Sequence, residues 1–247
     1  MGLATAAEAN AAAFAAQRDD VFARIAGRYD RLCDLFSVGV HRLWKQHMAD
    51  RIAARPGVDV LDLASGTGDI PVRLLRRLGR ADQRSIRVTD ICPQMLELAQ
   101  AKLSRVDGSI TPTLADAEHL ADFPDASVDV VSIAFAMKIC DRLKVANEAM
   151  RVLRPGGVFL CLEAARIPVA PLHAVYLAYM DLCLPLIASL ATGGDRSAYD
   201  YLLKGVHTFP DQQSFADELA TCGFDAVRWT NLTFGIVALH EGRKPVS

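Results

Sequence analysis

Residues 60–69 read Val60-Leu61-Asp62-Leu63-Ala64-Ser65-Gly66-Thr67-Gly68-Asp69. The first half is an apolar run of the kind that forms a strand buried on both faces. Gly66 and Gly68 then bring bare backbone close to a ligand, because glycine has no Cβ to block approach or forbid positive φ. Asp69 reads as a helix N-cap, with Pro71 tolerated in the first helical turn. A strand, a glycine turn and a helix in this order open a nucleotide-binding α/β sheet.

The rest of the chain continues that alternation. Upstream, helical patterning runs from about Asp19 to Ala54, with a break near Ser37–Gly39. Downstream of Asp59–Ala64, further strands are expected at Ser85–Asp90, Ser109–Leu114, Ser127–Ala134 and Val158–Glu163. Helices are expected at Pro93–Val106, at Asp141–Leu153 with a stop at Pro155-Gly156-Gly157, and at Pro210–Thr221. Val227–Leu232 and Phe234–His240 end the pattern as two adjacent, antiparallel strands. The fold class is therefore α/β: a doubly wound, mostly parallel seven-stranded sheet with helices on both faces. Ligands in such sheets bind outside the carboxyl ends of the strands.

The 247 residues divide into an Ala-rich tail over 1–18 and one domain over 19–247. Residues 19–54 form a helical cap, and residues 168–205 form a covering insertion. The chain is 51% hydrophobic and 23% charged, too apolar for disorder. A formal net charge of −2 gives no basic field for nucleic acid. The six cysteines contain no Cys-x-x-Cys pair, which argues against structural zinc and suits a reducing cytoplasm. The N-terminus lacks a basic-then-apolar signal pattern. Pro168–Thr192 is strongly apolar, but its His173, Asp181, Pro171 and Pro185 make it a core or lid helix rather than a membrane span.

Three features define the ligand. A dinucleotide fingerprint needs G-x-G-x-x-G, and Pro71 stands where the third glycine belongs. Asp62 and Asp69 flank the turn, where acid is unwelcome beside a pyrophosphate and suits an ammonium and a sulfonium. Asp90 ends the second strand about 20 residues after the loop, the place of an acid that accepts both ribose hydroxyls. Asp116, in Leu114-Ala115-Asp116-Ala117-Glu118, can accept from an adenine amino group. Together they describe S-adenosylmethionine, with S-adenosylhomocysteine as product and no metal.

The chain resembles the ubiquinone/menaquinone biosynthesis C-methyltransferase family over about residues 20–243. The resemblance rests on Val21–Asp30, on His41-Arg42-Leu43-Trp44-Lys45, on the glycine loop, and on Thr89–Leu96 and Ala115–Glu118. It continues through Arg151–Gly157, Tyr199-Asp200-Tyr201-Leu202, Phe209–Gln212 and Asn231–His240. It implies cofactor contacts at Thr67, Asp90, Asp116 and Ala117, and the loop and strand ends around them add Asp62, Ala64, Ser65, Gly66, Gly68, Ile91, Met95 and Ala134 as candidates. It implies an acceptor site at Tyr29, Phe135, Met137, Ile139 and Tyr176. Where the family typically reads Ser-Phe-Gly-(Leu/Ile)-Arg-Asn, this chain reads Ala134-Phe135-Ala136-Met137-Lys138-Ile139. Arginine to lysine loses a planar two-pronged donor, and asparagine to isoleucine replaces an amide by a stiff hydrocarbon.

Methylation of a ring carbon is an in-line displacement in which a phenol proton must also leave. Lys138, Tyr199, Tyr201, His207 and Tyr29 are the candidates to take that proton, with Lys138 steering a phenolate by charge rather than acting as a base. His41 and His47 read as part of a solvated or membrane-facing helix. The implied acceptor is a small-molecule or prenylated quinol. The segment 168–205 would then line a tail tunnel, form a homodimer face or join the core. A prenylated substrate implies peripheral contact with a membrane, at its inner face. The alternatives are a relative serving specialised metabolism that methylates another acceptor at C, N or O, a protein that binds the cofactor without methyl transfer, and a nucleotide dehydrogenase.

Overall fold

The computed structural model describes residues 22–78, 85–107, 109–192, 203 and 205–246. The tail 1–18, Tyr199 and Tyr201 lie outside them. The elements are α1 (Tyr29–Ser37), α2 (His41–Ala53), β1 (Val60–Leu63), α3 (Asp69–Leu78), β2 (Ile86–Asp90), α4 (Pro93–Leu103) and β3 (Thr113–Leu114). They continue with β4 (Val128–Ala134), α5 (Arg142–Val152), β5 (Leu153–Ala164), α6 (Ala170–Thr192), α7 (Gln212–Thr221), β6 (Asp225–Leu232) and β7 (Val237–Arg243).

The seven strands form one sheet in the order β3-β2-β1-β4-β5-β7-β6. The first five pair in parallel, and β7 enters antiparallel between β5 and β6. Chain order reverses between β1 and β4, so a crevice opens there above the strand ends. Alternation along the strands splits the core in two. Leu61, Leu63, Val131 and Ile133 face α5 and α7. Val60 and Val130 face α2, α3 and α4. Asp62 and Ser132 are register partners across β1 and β4.

The helix break near Ser37 is a left-handed turn, with φ of 50° at Val38 and 75° at Gly39, and the Gly39 amide returns to the Asp34 carbonyl at 2.8 Å. Four expectations need correction. The third strand is only Thr113–Leu114, an exposed edge pair, because the polar residues before it have no face to bury. Pro155-Gly156-Gly157 lies inside β5: α5 ends at Val152 and the strand starts at the next residue, with a register shift opposite it between Val128 and Val130. Phe234 belongs to a short 3₁₀ turn between β6 and β7 rather than to a strand. Asp69 is the first residue of α3 rather than its cap, and its carboxylate serves two lysines instead.

His240 on β7 is buried against Phe215 and Trp229, with Nε2 3.0 Å from the Gln212 carbonyl. Burial pushes its imidazole down to about 4. The unfolded imidazole takes its proton near the ordinary value, so between the two values the unfolded state binds more protons and stability is lost as the pH falls. This group should remove about 2 kcal/mol of stability between about pH 6.5 and 5. Urea unfolding of the wild type and of His240→Leu across that range checks it. A stability gap that stays constant with pH would contradict the assignment.

Candidate active site

The loop after β1 is held open by backbone geometry. Ala64 takes φ of 46°, Gly66 56° and Gly68 78°. A Cβ on Gly66 would meet nothing within 4 Å, so the space above it is free for a ligand. A Cβ on Gly68 would come within 3.2 Å of Ala99 Cβ, so glycine there lets α3 pack on α4. Asp90 fixes the loop from β2. One carboxylate oxygen accepts from the Gly66 amide at 2.7 Å and the other from the Cys92 amide at 2.8 Å.

Asp62 is 2% exposed at the end of β1. Ser132 donates to its Oδ1, while Oδ2 is buried with no hydrogen-bond partner. Burial pushes this carboxyl up to about 6, with the Ser132 and Ser65 hydroxyls opposing. An unpaired buried carboxylate oxygen is costly unless a donor or cation meets it. Around it the charges are already matched. Asp69 is bound by Lys45 at 2.7 Å and by Lys102 at 2.9 Å. Burial alone would raise the Asp69 carboxyl, but the two lysines hold it well below the usual carboxylate range. The Thr67 hydroxyl donates to Asp30 at 2.7 Å and accepts from Lys102 at 2.7 Å. These bonds tie the cap helices to the glycine loop.

Two cavities meet over this loop. The smaller, of about 70 Å³, is bordered by Asp90, Ile91, Cys92, Met95, Ala115, Asp116, Ala117, Ala136, Ile139 and Cys140. The larger, of about 400 Å³, is bordered by Asp62, Ser65, Thr67 and Asp69 on the loop side. Its far wall comes from Phe36, Val38, His41 and Trp44 of the cap, and from Tyr176, Tyr179 and Met180 of α6. Tyr29, Ala64, Gly66, Ala134 and Phe135 border both. Phe135 holds φ of 58° directly after β4, a strained conformation for an aromatic residue. Its amide bonds the Leu162 carbonyl at 2.8 Å, and Trp44 and Lys138 flank its ring.

The signature of the ubiE/COQ5 methyltransferase family matches residues 11–244. The chain belongs to this family. It is 41% identical over 227 residues to the ubiquinone/menaquinone biosynthesis C-methyltransferase UbiE of Acidiphilium cryptum, covering 90% of this chain and 88% of that one. It is 38% identical over 240 residues to the mitochondrial 2-methoxy-6-polyprenyl-1,4-benzoquinol methylase of Drosophila melanogaster, covering 91% and 79%. Among solved structures, a methyltransferase of Thermotoga maritima described as a possible histamine N-methyltransferase superposes with a TM-score of 0.64 at 16% identity. That match covers 92% of this chain and 99% of the other, and it shows the shared α/β fold. The protein is an S-adenosylmethionine-dependent methyltransferase.

Membership of the ubiE/COQ5 family makes the placement of each expected residue informative. Asp62, Ala64, Ser65, Gly66, Thr67, Asp90, Ile91, Met95, Asp116, Ala117 and Ala134 all border one or both cavities. Gly68 supports the loop from beneath. The altered loop after β4 divides. Ile139 and Ala136 border the small cavity with Asp90 and Asp116, so the asparagine-to-isoleucine change falls on that side rather than on the large one. Met137 is wholly buried in the core and borders neither cavity, because its turn points it back under the sheet. Tyr29, Phe135 and Tyr176 border the large cavity.

Of the catalytic candidates, Lys138 borders the large cavity but is not a free cation. Its ammonium lies 3.0 Å from Glu163 and also donates to the Phe135 carbonyl. Glu163 further accepts from the Lys138 and Ala164 amides. The pair is neutral overall and braces the Phe135 turn. His207 is exposed and pairs with Asp181 on α6 at 3.0 Å, outside both cavity walls. His41, read from sequence as solvated, is 7% exposed and borders the large cavity. A signal for this exists in the sequence: His41, Lys45, Met48, Ala49 and Ile52 fall on one helical stripe and are all buried. Among the described residues, no group of three His, Cys, Asp or Glu side chains is placed to hold a metal ion.

Proposed function

We propose that this methyltransferase transfers the methyl group of S-adenosylmethionine to a ring carbon of a quinol, with the donor's adenosyl end in the small cavity, its methionine end reaching Asp62 on the loop side of the large one, and the acceptor against the far wall of the large one. The observation that carries this reading is the shared wall. Two chambers, a small one bordered by Asp90 and Asp116 and a large one mostly apolar, meet over Gly66 between Tyr29 and Phe135. The donor supplies an electrophilic methyl on a positively charged sulfur. Asp90 accepts from the ribose hydroxyls while keeping the Gly66 amide in place. Asp116 and Ala117 meet the adenine edge. Asp62 Oδ2, buried and unpartnered, receives the ammonium of the methionine end.

The large cavity suits an aromatic ring with a hydrocarbon tail. Phe36, Val38, Met180, Val206 and Ile236 give it apolar walls. The names of the Acidiphilium and Drosophila relatives point to the same kind of acceptor. A polyprenyl tail brings the protein to a membrane surface. Val38 on the cavity rim is 83% exposed and Phe234, next to rim residue Thr233, is 80% exposed, so apolar surface continues outward from the mouth. No helix among the described residues is long and apolar enough to cross a membrane.

Incubation with methyl-labelled donor and a reduced demethylmenaquinol analogue tests the acceptor. Label on a ring carbon is the expected result. A protein that binds the donor but leaves this quinol unlabelled, while labelling a nitrogen or oxygen acceptor, would overturn the reading.

A further inference from the structure

Transfer to a ring carbon requires a group that takes the hydroxyl proton, and the wall of the large cavity holds nine titratable side chains. Lys45, Asp69 and Lys138 are committed to ion pairs. Asp62 faces the donor end. Tyr29, Cys33 and Tyr176 are pushed up, Tyr29 chiefly by neighbouring Cys33 and the other two by burial, so they hold their protons more tightly than usual. Tyr179 is a phenol like the acceptor itself. His41 remains.

The hydrogen bonds around His41 settle which ring nitrogen carries its proton. The Ser37 hydroxyl has one proton, and it donates that proton to the Cys33 carbonyl at 2.7 Å. Ser37 Oγ also lies 2.8 Å from His41 Nδ1, so in this contact Ser37 must accept and Nδ1 must donate. The neutral ring therefore carries its proton on Nδ1, and Nε2 keeps a bare lone pair. No hydrogen bond among the described residues occupies Nε2. Asp34 Oδ1 stands 3.8 Å from Nδ1, placed to stabilise the ring once Nε2 is protonated.

We propose that His41 is the general base of the transfer, accepting the acceptor's ring-hydroxyl proton at Nε2. This rests on the quinol reading above. As the proton leaves, the oxygen's electrons move into the ring, and the ring carbon forms its bond to the methyl group. The sulfur–methyl bond breaks and its pair stays on sulfur. The carbon's own hydrogen then leaves as a proton, the ring regains aromaticity, and protonated His41 returns its proton to the ring oxygen, so quinol plus sulfonium gives methylated quinol, thioether and one proton. A weak base is sufficient, because attack turns the hydroxyl into a protonated carbonyl, a far stronger acid than a phenol. Burial, aided by Lys45 and Arg42 against Asp34 and Asp69, pushes the resting imidazole down to about 4, so it waits unprotonated at neutral pH.

The test compares wild type, His41→Gln and Ser37→Ala, using the reduced demethylmenaquinol analogue and calorimetric affinity for S-adenosylmethionine. His41→Gln should lower kcat by roughly 100-fold or more with donor affinity unchanged. His41→Ala should regain activity when imidazole is added. Ser37→Ala, which frees the tautomer, should lower kcat by roughly tenfold. Near-wild-type kcat in His41→Gln overturns the proposal. So does a fall in kcat matched by an equal fall in donor affinity without imidazole rescue, which marks a structural role. Wild-type protein that binds the donor but leaves the quinol unmethylated overturns the acceptor reading itself, and the base with it.

Discussion

Replacing Asp90 with alanine should weaken binding of S-adenosylmethionine by roughly 100-fold or more, since charge-assisted hydrogen bonds are each worth about 1.5–3 kcal/mol. Two losses combine. The ribose hydroxyls would lose the acceptor proposed for them, and the Gly66 and Cys92 amides lose the carboxylate that holds the loop and the start of α4 in register. Asp90→Asn keeps one acceptor oxygen and should fall between alanine and wild type. Calorimetric titration of the three proteins gives the comparison, with the unfolding midpoint followed in parallel. Unchanged affinity in the alanine variant would place the ribose elsewhere.

Lys138→Met should cost about 3–5 kcal/mol of stability, the penalty for leaving a buried partner charge unpaired. Glu163 is 1% exposed at its side chain and Lys138 6%, so water cannot take the lysine's place. Adding Glu163→Gln should restore part of the loss, because the buried charge is gone, while the single amide oxygen can accept from only one of the two backbone amides that now bond separate carboxylate oxygens. Denaturant unfolding of both singles and the double closes the cycle. A single variant as stable as wild type would mean that the pair is hydrated. Turnover in the stable double variant then isolates what Lys138 does for the acceptor apart from bracing Phe135.

The parts of the fold legible in sequence are those with local signals. Val60–Leu63 is an apolar run that ends in glycines, and nothing but a buried parallel strand satisfies both. The convergence of three acids on the cavities was legible for the same reason: Asp62 and Asp90 sit near the ends of β1 and β2 and Asp116 just beyond β3, and strand ends converge in a doubly wound sheet. The acceptor side was not. Glu163, which neutralises Lys138, lies 25 residues further on at the end of a different strand, and no spacing rule connects them. His207 offered a titratable ring at a helix end, but its helical turn directs it to Asp181 and away from the cavity. His41 was hidden differently. Its helix begins with polar residues that look solvated, but His41 is turned to Ser37 of α1 and Lys45 to Asp69 of α3.

The five residues common to both chambers define a doorway that one molecule could occupy from both sides. A compound joining an adenosyl group to an apolar aromatic ring would thread its linker past Gly66, between Tyr29 and Phe135. The adenosyl half alone would inhibit many unrelated enzymes, since a glycine turn and a strand-end acid recur wherever this fold binds nucleosides. Its discrimination would come from the ring half, lodged among cap and lid residues that a generic nucleoside pocket lacks. The strained Phe135 turn is therefore the natural place to anchor a selective inhibitor.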